Sequence, residues 1–366
     1  MSFIAAPHII SPLGNSVHEN FERALVGQSA LRLHSDHPFA PVDIPFGIIT
    51  DHERSEGWTK LESLCLQSCQ QSLAQLKDTS GKWLLIFCTT KGDIDRLASG
   101  LSEEVKPQYL VQKVAKELPI DIDTEVVSNA CISGLLGVIM AHDYVSTGVY
   151  DHVLVLGGDL FSDFTYKGFE SFMALSAQAC KPFDANRDGL SLGEAVVSVV
   201  VSDKKEIFSQ VDCQVLGGAS ANDANHISGP SRTGEGLYRS IQKTWKQTGL
   251  SAEEVDAVSA HGTATRYNDD MESIAFHRAG LAAKPINSMK GYFGHTLGAA
   301  GLLELVMSME SMRAGIFLSS LGCEAPGTTE EINVVTENTP MEIHTLLKTT
   351  SGFGGCNAAA IIQKIQ

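Results

Sequence analysis

Residues 124–145 read TEVVSNACISGLLGVIMAHDYV, and this stretch decides the fold. Thr124–Ser128 predicts a strand. The residues from Cys131 onward are apolar almost all round, which predicts a helix that is buried on every side. A strand that leads through Asn129 and Ala130 to a cysteine at the start of a buried helix is typical of an α/β architecture.

Strand and helix patterns alternate on both sides of this stretch, which predicts an α/β protein throughout. The charged break at 203–206 (DKKE) divides the chain into halves, residues 1–205 and 206–366. Each half contains a strand that delivers a reactive residue to the start of a helix, so the layout is compatible with duplication. The predicted strands include 83–88, 152–157, 195–201, 211–218, 255–260 and 342–349, and the predicted helices include 58–76, 103–117, 233–248, 269–279 and 299–312.

The bulk composition excludes several classes of protein. The 366 residues are 43% hydrophobic and 19% charged, which is enough to bury a large core. A formal net charge of −16 makes the chain a poor general binder of nucleic acid or of an anionic membrane. The sequence starts without the pattern of a signal peptide and contains no run of about 18 apolar residues. We therefore expect a cytoplasmic protein with no nucleic-acid partner and no membrane span.

Cys131 is the cysteine whose position indicates chemistry. The eight cysteines lack the spacing of a zinc site, so we expect free thiols and no metal. At a helix N-terminus, Cys131 would feel the positive end of the helix dipole, which favours the thiolate. The small residues Ala130, Ser133 and Gly134 leave room for a substrate beside the sulfur. A buried, inert cysteine is the alternative, because free cysteine is among the most buried residue types.

Two histidines stand in comparable places. His261 ends the predicted strand 255–260, and open α/β sheets place their ligands at the carboxyl ends of strands. His295 precedes a helix start rich in alanine and glycine. Glu304 lies inside that apolar helix, where a carboxylate is costly to bury unless it is paired, and Lys290 is the candidate partner. The alternatives are a core histidine with satisfied hydrogen bonds and a solvated glutamate on a polar helix face.

The last cluster is Gly352–Asn357 (GFGGCN). Glycines on both sides of Phe353 free the backbone to adopt unusual dihedral angles. Backbone N–H groups in such a turn can point at an oxyanion. An ordinary hairpin turn is the alternative.

Together and in this order, the clusters resemble the β-ketoacyl synthase family, the condensing enzymes of fatty-acid and polyketide synthesis. The resemblance spans essentially the whole chain. The matching segments are ISPLGNSVHENFERALVGQS (10–29), NACISG (129–134), KPFD (181–184), RDG (187–189), GEA (193–195), HGTAT (261–265) with Asn268, Asp269 and Glu272, Lys290 through GHTLGAAG (294–301), and GFGGCN (352–357).

The chain departs from the family's pattern in three places. It is shorter than typical members, and the missing length falls between about Ser35 and Glu125. That region lines the acyl pocket and the dimer interface in relatives, which leaves chain-length preference open. Ile132 is larger than the usual residue after the nucleophile, and Cys356 replaces a usual threonine. Neither substitution removes a catalytic group.

The resemblance implies a two-stage reaction at one site. A cysteine thiolate first takes an acyl group from a carrier thioester. A malonyl thioester then loses CO₂, and its enolate attacks the acyl group to give a 3-oxoacyl thioester. Two histidine N–H groups would stabilise the enolate oxygen, a lysine–glutamate pair would orient the histidines, and backbone N–H groups would stabilise the acylation oxyanion. The implied catalytic residues are Cys131, His261, His295, Lys290, Glu304 and Phe353, and the implied substrate-binding residues are Thr263, Thr265 and Phe353.

The resemblance also implies the fold and the partners. The fold is the five-layered αβαβα arrangement of thiolases, with two similar halves fused into one unit. No cofactor is held by the chain, because the phosphopantetheine arm arrives on an acyl carrier protein. The other partner is a second ketosynthase-like chain, identical or related, paired through Thr124–Ser128. Docking of an acidic carrier needs a basic patch, for which Lys106, Lys113 and Lys116 are candidates.

Other functions stay open. A non-catalytic partner subunit that sets chain length generally lacks the nucleophile, which is present here as Cys131. A Cys/His hydrolase would release free acid without condensation, but it leaves Lys290, His295 and the PFD and RDG segments unexplained. Thiolases and starter-type condensing enzymes share the fold but usually carry one histidine with an asparagine or a second cysteine, so the two-histidine pattern argues against both. Primary fatty-acid synthesis and a specialised polyketide or polyene pathway are equally compatible with the sequence.

Overall fold

Ten of the described strands form one continuous sheet, and two short strands form a separate ribbon. The computed structural model describes residues 2–34, 44–50, 52, 56–100, 103–223 and 231–365. The strands are β1 (Ser2–Ile10), β2 (Trp83–Cys88), β3 (Ile122–Val127), β4 (His152–Asp159), β5 (Ala195–Ser202), β6 (Cys213–Asn222), β7 (Ala257–Ser259), β8 (Ile286–Asn287), β9 (Ile316–Phe317), β10 (Thr339–Pro340), β11 (Thr345–Gly352) and β12 (Cys356–Lys364). The α-helices are α1 (Val17–Leu25), α2 (Lys60–Leu73), α3 (Pro107–Lys116), α4 (Ser133–Ser146), α5 (Asp163–Ser171), α6 (Glu235–Thr248), α7 (Arg266–Arg278), α8 (Lys290–Phe293) and α9 (Ala300–Ala314).

The two ends of the large sheet have the same strand pattern. The order along the sheet is β3-β2-β4-β5-β1-β6-β12-β11-β7-β8. In the first five strands, β2 lies parallel between β3 and β4, and β5 lies antiparallel between β4 and β1. In the last five, β7 lies parallel between β8 and β11, and β12 lies antiparallel between β11 and β6. This equivalence is what duplication predicts. The division at residues 205 and 206 stays a prediction.

Helices α4 and α9 lie between the two sets of strands. Helix α4 contacts β2 and β4 on one side and β6 and β12 on the other, and α9 contacts β5 and β11. Helices α2 and α3 cover the outer face of the first set, while α6 and α7 cover the outer face of the second. The layers therefore alternate αβαβα, and the predicted five-layered fold is confirmed.

The apolar pattern of the sequence follows from this layering. In β2, residues 84, 86 and 88 pack in the central core and residues 83, 85 and 87 pack in the outer core, so no residue of the strand faces water. Helix α4 is apolar on every side because it is enclosed by strands and by α9. None of the helices in the described part of the chain is long and apolar enough to cross a membrane.

Element boundaries differ from the prediction at loops. The strand before Cys131 is Ile122–Val127, two residues earlier than predicted at its start. The helix predicted at 103–117 is α3, which begins at Pro107 after a short 3₁₀ turn at Glu103–Val105. Proline suits the first helical position because its φ is already fixed and its missing N–H is not needed there. Residues 35–43, part of the shortened segment, lie outside the described residues.

Candidate active site

Cys131 lies at a sharp turn between β3 and α4. Ala130, just before it, has a φ of +45°, a left-handed conformation that costs a non-glycine residue about 1 kcal/mol or more. The Ser133 hydroxyl holds this turn, because it accepts from the Asn129 N–H at 2.8 Å and donates to the Ala130 carbonyl at 2.7 Å. The Cys131 side chain is 6% exposed and lines a cavity of about 420 Å³.

His295 is in contact with this cysteine. Its Nε2 lies 3.1 Å from Cys131 Sγ. The Leu297 backbone N–H donates to His295 Nδ1 over 3.2 Å. A neutral imidazole has one donor and one acceptor nitrogen, so an accepting Nδ1 leaves the proton on Nε2. The neutral ring therefore presents an N–H toward the sulfur.

His261 has the same tautomer for a different reason. Its ring lies edge-on to that of His295, with centroids 5.1 Å apart. Lys290 Nζ donates to the His261 carbonyl at 2.6 Å and lies 3.2 Å from His261 Nδ1. An ammonium group only donates, so Nδ1 accepts and the ring proton is again on Nε2. The structure thus brings together Cys131, Lys290 and both histidines, as predicted.

Glu304 is buried and paired, but with two lysines instead of one. One carboxylate oxygen pairs with Lys290 Nζ, and the other pairs with Lys348 Nζ at 2.8 Å. All three side chains are at most 2% exposed. Sequence reasoning missed Lys348. The available signal was a lysine inside the run TLLKTTSG of β11, because a charge in a buried strand needs a partner.

Burial controls the protonation of the nucleophile and of both histidines. Burial raises the pKa of the Cys131 thiol to about 12; the adjacent Cys356 adds to this, and Lys290 opposes it. Burial, reinforced by Lys290, lowers the pKa of His261 and of His295 well below the usual value. Burial thus acts against the thiolate that the helix dipole was expected to favour, and the shift of the Cys131 pKa is upward. The resting groups are a thiol and two neutral imidazoles.

The glycine-rich segment is a hairpin turn between β11 and β12, and it lies against the nucleophile. A Cβ on Gly352 would come within 3.1 Å of Cys131 N and 2.8 Å of Cys356 Sγ, so this close approach requires glycine. The Phe353 N–H donates toward the Cys131 sulfur, which opposes the rise of the thiol pKa. The sequence left a hairpin turn and a backbone donor as alternatives, and the segment contains both.

Aromatic rings cover the cavity above the sulfur. The Phe353 ring centroid lies 5.3 Å from that of Phe169 and 5.6 Å from that of Phe172. Thr263 and Thr265 line the same cavity, with their hydroxyl oxygens 2.8 Å apart. All the predicted site residues that face the cavity thus meet in one place, while Lys290 and Glu304 lie behind the histidines.

Two acidic residues fix the backbone around the histidines. The Glu272 carboxylate accepts from the His261 and Gly262 N–H groups at 2.8 and 2.7 Å. The Asp159 carboxylate, at the end of β4, accepts from the Gly298 N–H at 2.8 Å. Glu272 belongs to a motif seen in the sequence. Sequence reasoning did not single out Asp159, which also pairs with Lys91 and accepts from Thr89 and Thr90 in its own half of the chain.

The donor set at the nucleophile is a poor fit for a metal ion. Cys131, His261 and His295 place one possible ligand atom each within 4.8 Å of one another. Ligation through Nε2 needs its lone pair. Lys290 and the Leu297 N–H occupy the Nδ1 atoms and so keep both Nε2 atoms protonated. The arrangement suits hydrogen-bond donation to a substrate oxygen.

Two family models match the chain. The model "Beta-ketoacyl synthase, N-terminal domain" matches residues 114–206, and the model "Beta-ketoacyl synthase, C-terminal domain" matches residues 213–324. Together they span more than half of the sequence. The first match contains Cys131, and the second contains both histidines, Lys290 and Glu304.

Relatives and a solved structure agree with these models. The "Putative 3-oxoacyl-[acyl-carrier-protein] synthase, mitochondrial" of Schizosaccharomyces pombe is 27% identical over 97% of this chain and 97% of its own length. The "3-oxoacyl-[acyl-carrier-protein] synthase 2" of Rhizobium meliloti is 34% identical over 65% of this chain and 60% of its own. "The ishigamide ketosynthase/chain length factor" superposes with a TM-score of 0.87 at 22% identity, covering 100% of this chain and 99% of that one. The motifs, the fold and these matches place the chain in the β-ketoacyl synthase family.

Proposed function

We propose that the chain is a 3-oxoacyl-[acyl carrier protein] synthase that catalyses decarboxylative Claisen condensation in fatty-acid or specialised polyketide synthesis. The observation that carries the proposal is the pair of neutral histidines beside Cys131, each held as the Nε2–H tautomer by a donor at Nδ1. Two neutral N–H donors suit an oxygen that becomes negative during the reaction. A Cys/His hydrolase needs a histidine that acts as a general base, whereas here both histidines present an N–H donor at Nε2.

In the first stage, Cys131 accepts the acyl group. The sulfur attacks the carbonyl carbon of an acyl carrier thioester, and the carbon–sulfur bond to the carrier breaks. The proton of the Cys131 thiol ends on the departing carrier thiol, so charge is conserved. The N–H groups of Cys131 and Phe353 are the donors for the tetrahedral oxyanion, because the Gly352 backbone lies against the Cys131 N–H and the Phe353 N–H faces the sulfur.

In the second stage, a malonyl thioester replaces the carrier. Its carboxylate leaves as CO₂, and the electron pair passes to the thioester oxygen as an enolate. His261 and His295 donate their Nε2–H groups to that oxygen. The enolate carbon then attacks the acyl carbonyl on Cys131, the thiolate leaves, and a 3-oxoacyl thioester forms. No cofactor is needed from the chain, since the phosphopantetheine arm belongs to the carrier.

Phe353 is proposed to separate the two stages. It is 38% exposed, lines the cavity beside Phe172, and stands on a turn whose next residues, Gly354 and Gly355, have φ values of +84° and +76°. Such a turn permits the ring to move without strain in neighbouring side chains. Thr263 and Thr265 are proposed to bind the pantetheine amides, because both hydroxyls line the cavity.

The carrier protein is proposed to dock on the rim of the cavity. Phe172, Met173 and Tyr267 line the cavity and are 51%, 89% and 81% exposed. Met173 also has a φ of +52°, a strained conformation of the kind found at functional positions. A pantetheine arm that enters the cavity beside these residues would place its carrier against this rim. Of the basic residues predicted for docking, Lys106 pairs with Glu103 and Lys113 pairs with Glu62, and docking through these two and Lys116 stays a prediction.

A second ketosynthase-like chain, identical or related, is proposed to pair along β3. This strand ends the order of the large sheet, so one of its edges has no neighbour among the described strands. An exposed edge offers N–H and C=O groups to a partner strand. Residues 1–205 and 206–366 are proposed to be two halves of one unit, because Cys131 comes from the first and His261 and His295 come from the second.

The test is acylation followed by extension. The pure protein is incubated with malonyl carrier protein and a panel of acyl carrier thioesters, and Cys131 and the products are followed by intact mass spectrometry. We expect a Cys131 adduct that is absent from Cys131→Ala and a product two carbons longer. An adduct without extension indicates a missing partner chain or a different extender. If no acyl group forms an adduct, Cys131 is not the nucleophile, and the chain is better explained as a non-catalytic chain-length subunit.

A further inference from the structure

Lys348 is a buried lysine that the reaction described above does not use. Its side chain is 0% exposed. Four acceptors surround its Nζ: Glu304 Oε2 at 2.8 Å, Thr349 O at 2.9 Å, Ser259 O at 3.1 Å and Ala260 O at 3.2 Å. Lysine is almost never fully buried unless it is paired, and a buried charge costs several kcal/mol of desolvation.

Lys348 does not line the catalytic cavity, so it acts through other residues. Two routes lead from it to His261. Its backbone partners, Ser259 and Ala260, are the last residue of β7 and the one after it, directly before His261. Its side-chain partner, Glu304, uses the other carboxylate oxygen to pair with Lys290, whose Nζ lies 3.2 Å from His261 Nδ1.

We propose that Lys348 is a positioning residue for His261. It holds the strand end that presents the histidine, and it holds the Glu304 carboxylate that aims Lys290 at Nδ1. Without Lys348, Glu304 has one lysine for two oxygens and is free to take Lys290 away from the ring. The catalytic consequence rests on the proposed condensation, whereas the effect on the ring itself does not.

The second lysine also sets the charge of the cluster. Glu304 shared by Lys290 and Lys348 leaves one excess positive charge on these three side chains, which disfavours a further charge on the imidazole. Lys348 is accordingly among the groups that lower the pKa of His261, after burial, Lys290 and His295. The charged and titratable groups that face His261 from the surrounding elements are Lys290, His295, Lys348, Glu304, Glu272 and Cys131.

The direct test removes the charge and keeps the volume. In Lys348→Met, we expect the His261 pKa, measured by NMR on protein with ¹⁵N-labelled histidine, to rise. We expect kcat for malonyl decarboxylation to fall about tenfold to a hundredfold and the KM of the acyl donor to change little. The acidic limb of the pH–rate profile should move to higher pH. An unchanged His261 pKa with an unchanged acidic limb overturns the proposal.

A matched control is Lys364→Met. Lys364 lies on the neighbouring strand β12 and donates to the Met312 carbonyl at 3.2 Å, and within the described part of the chain it makes no hydrogen bond to the histidine cluster. The Lys364→Met substitution should leave the His261 pKa and the pH–rate profile as in the wild type. Equal shifts in both variants indicate a general effect of losing a lysine and overturn the proposal.

A double-mutant cycle tests the route through Glu304. If Lys348 acts through that carboxylate, Lys348→Met should change kcat much less in a Glu304→Gln background than in the wild type. Additive losses in kcat overturn the route through the carboxylate and leave the strand end as the only connection.

Two further measurements keep the proposal testable if the methionine variant does not fold. Lys348→Gln removes the charge while retaining a hydrogen-bond donor. In the wild type labelled with ¹⁵N at lysine Nζ, the proposal requires Lys348 to be an ammonium group at pH 7, and a neutral amine overturns it. If the wild type does not condense, the proposed function fails, but the His261 titration still decides the role of Lys348.

Discussion

Replacing His261 by alanine should separate the two stages of the reaction. His295, not His261, lies 3.1 Å from Cys131 Sγ. His261→Ala therefore removes one of two donors to the enolate oxygen and leaves the proposed acylation donors, the N–H groups of Cys131 and Phe353, in place. Loss of one such donor costs about 2.7–4 kcal/mol, or roughly 10²–10³ in rate. We expect decarboxylation to slow by that factor and Cys131 acylation to stay near the wild-type rate.

The assay measures both stages on the same sample. Rapid quenching with intact mass spectrometry gives the single-turnover rate of Cys131 acylation, and labelled CO₂ release gives decarboxylation. His261→Gln is the matched control, because its amide places an N–H near the position of Nε2. It should recover part of the decarboxylation rate, and its pH–rate profile should lose the contribution of an imidazole. Equal slowing of both stages in His261→Ala refutes the division of labour between the histidines.

Three further predictions follow from buried charges and from the rim. Glu304→Gln leaves two buried ammonium groups unpaired, so denaturant titration at pH 7 should show a loss of about 3–5 kcal/mol in unfolding free energy. The unpaired lysines bind protons more weakly in the folded than in the unfolded chain, so this loss should shrink as pH rises; a loss that is small or independent of pH contradicts the pairing. Because burial raises the pKa of Cys131 to about 12, the rate of its alkylation by iodoacetamide should keep rising above the ordinary cysteine pKa of about 8.5. A rate that reaches a plateau near that pH would contradict a resting thiol. Met173→Glu should raise the KM of carrier-bound acyl donors several-fold and leave that of acyl-pantetheine unchanged, whereas equal effects on both would remove Met173 from the docking surface.

The sequence was most informative where chemistry and local structure coincide. Cys131 and His261 each follow a strand within four residues, and Lys290 and His295 lie five residues apart in sequence, so local patterns were enough to select them. The buried strands and helix α4 were recognisable because enclosure on all sides leaves continuous apolar runs. The pairing of Glu304 with Lys290 was predictable because the cost of a buried carboxylate demands a nearby cation.

The site features that the sequence did not predict depend on contacts between distant segments. Lys348 meets Glu304 across 44 positions, and Asp159 meets the Gly298 N–H across 139, so no spacing rule connects them. The upward shift of the Cys131 pKa was not foreseen, because the helix dipole is a local feature whereas desolvation depends on everything packed around the sulfur. Exposure of Met173 likewise became visible only with the cavity in place.

We propose that loss of CO₂ at this site leads to a carbon–carbon bond between the enolate and the acyl group held on Cys131. The most direct test supplies malonyl carrier protein labelled with ¹³C in its free carboxylate, together with the acyl carrier thioester that best labels Cys131, and counts ¹³CO₂ against 3-oxoacyl product. We expect one ¹³CO₂ for each product in the wild type and no product in Cys131→Ala. Release of ¹³CO₂ without a longer product would contradict the proposal and describe a decarboxylase.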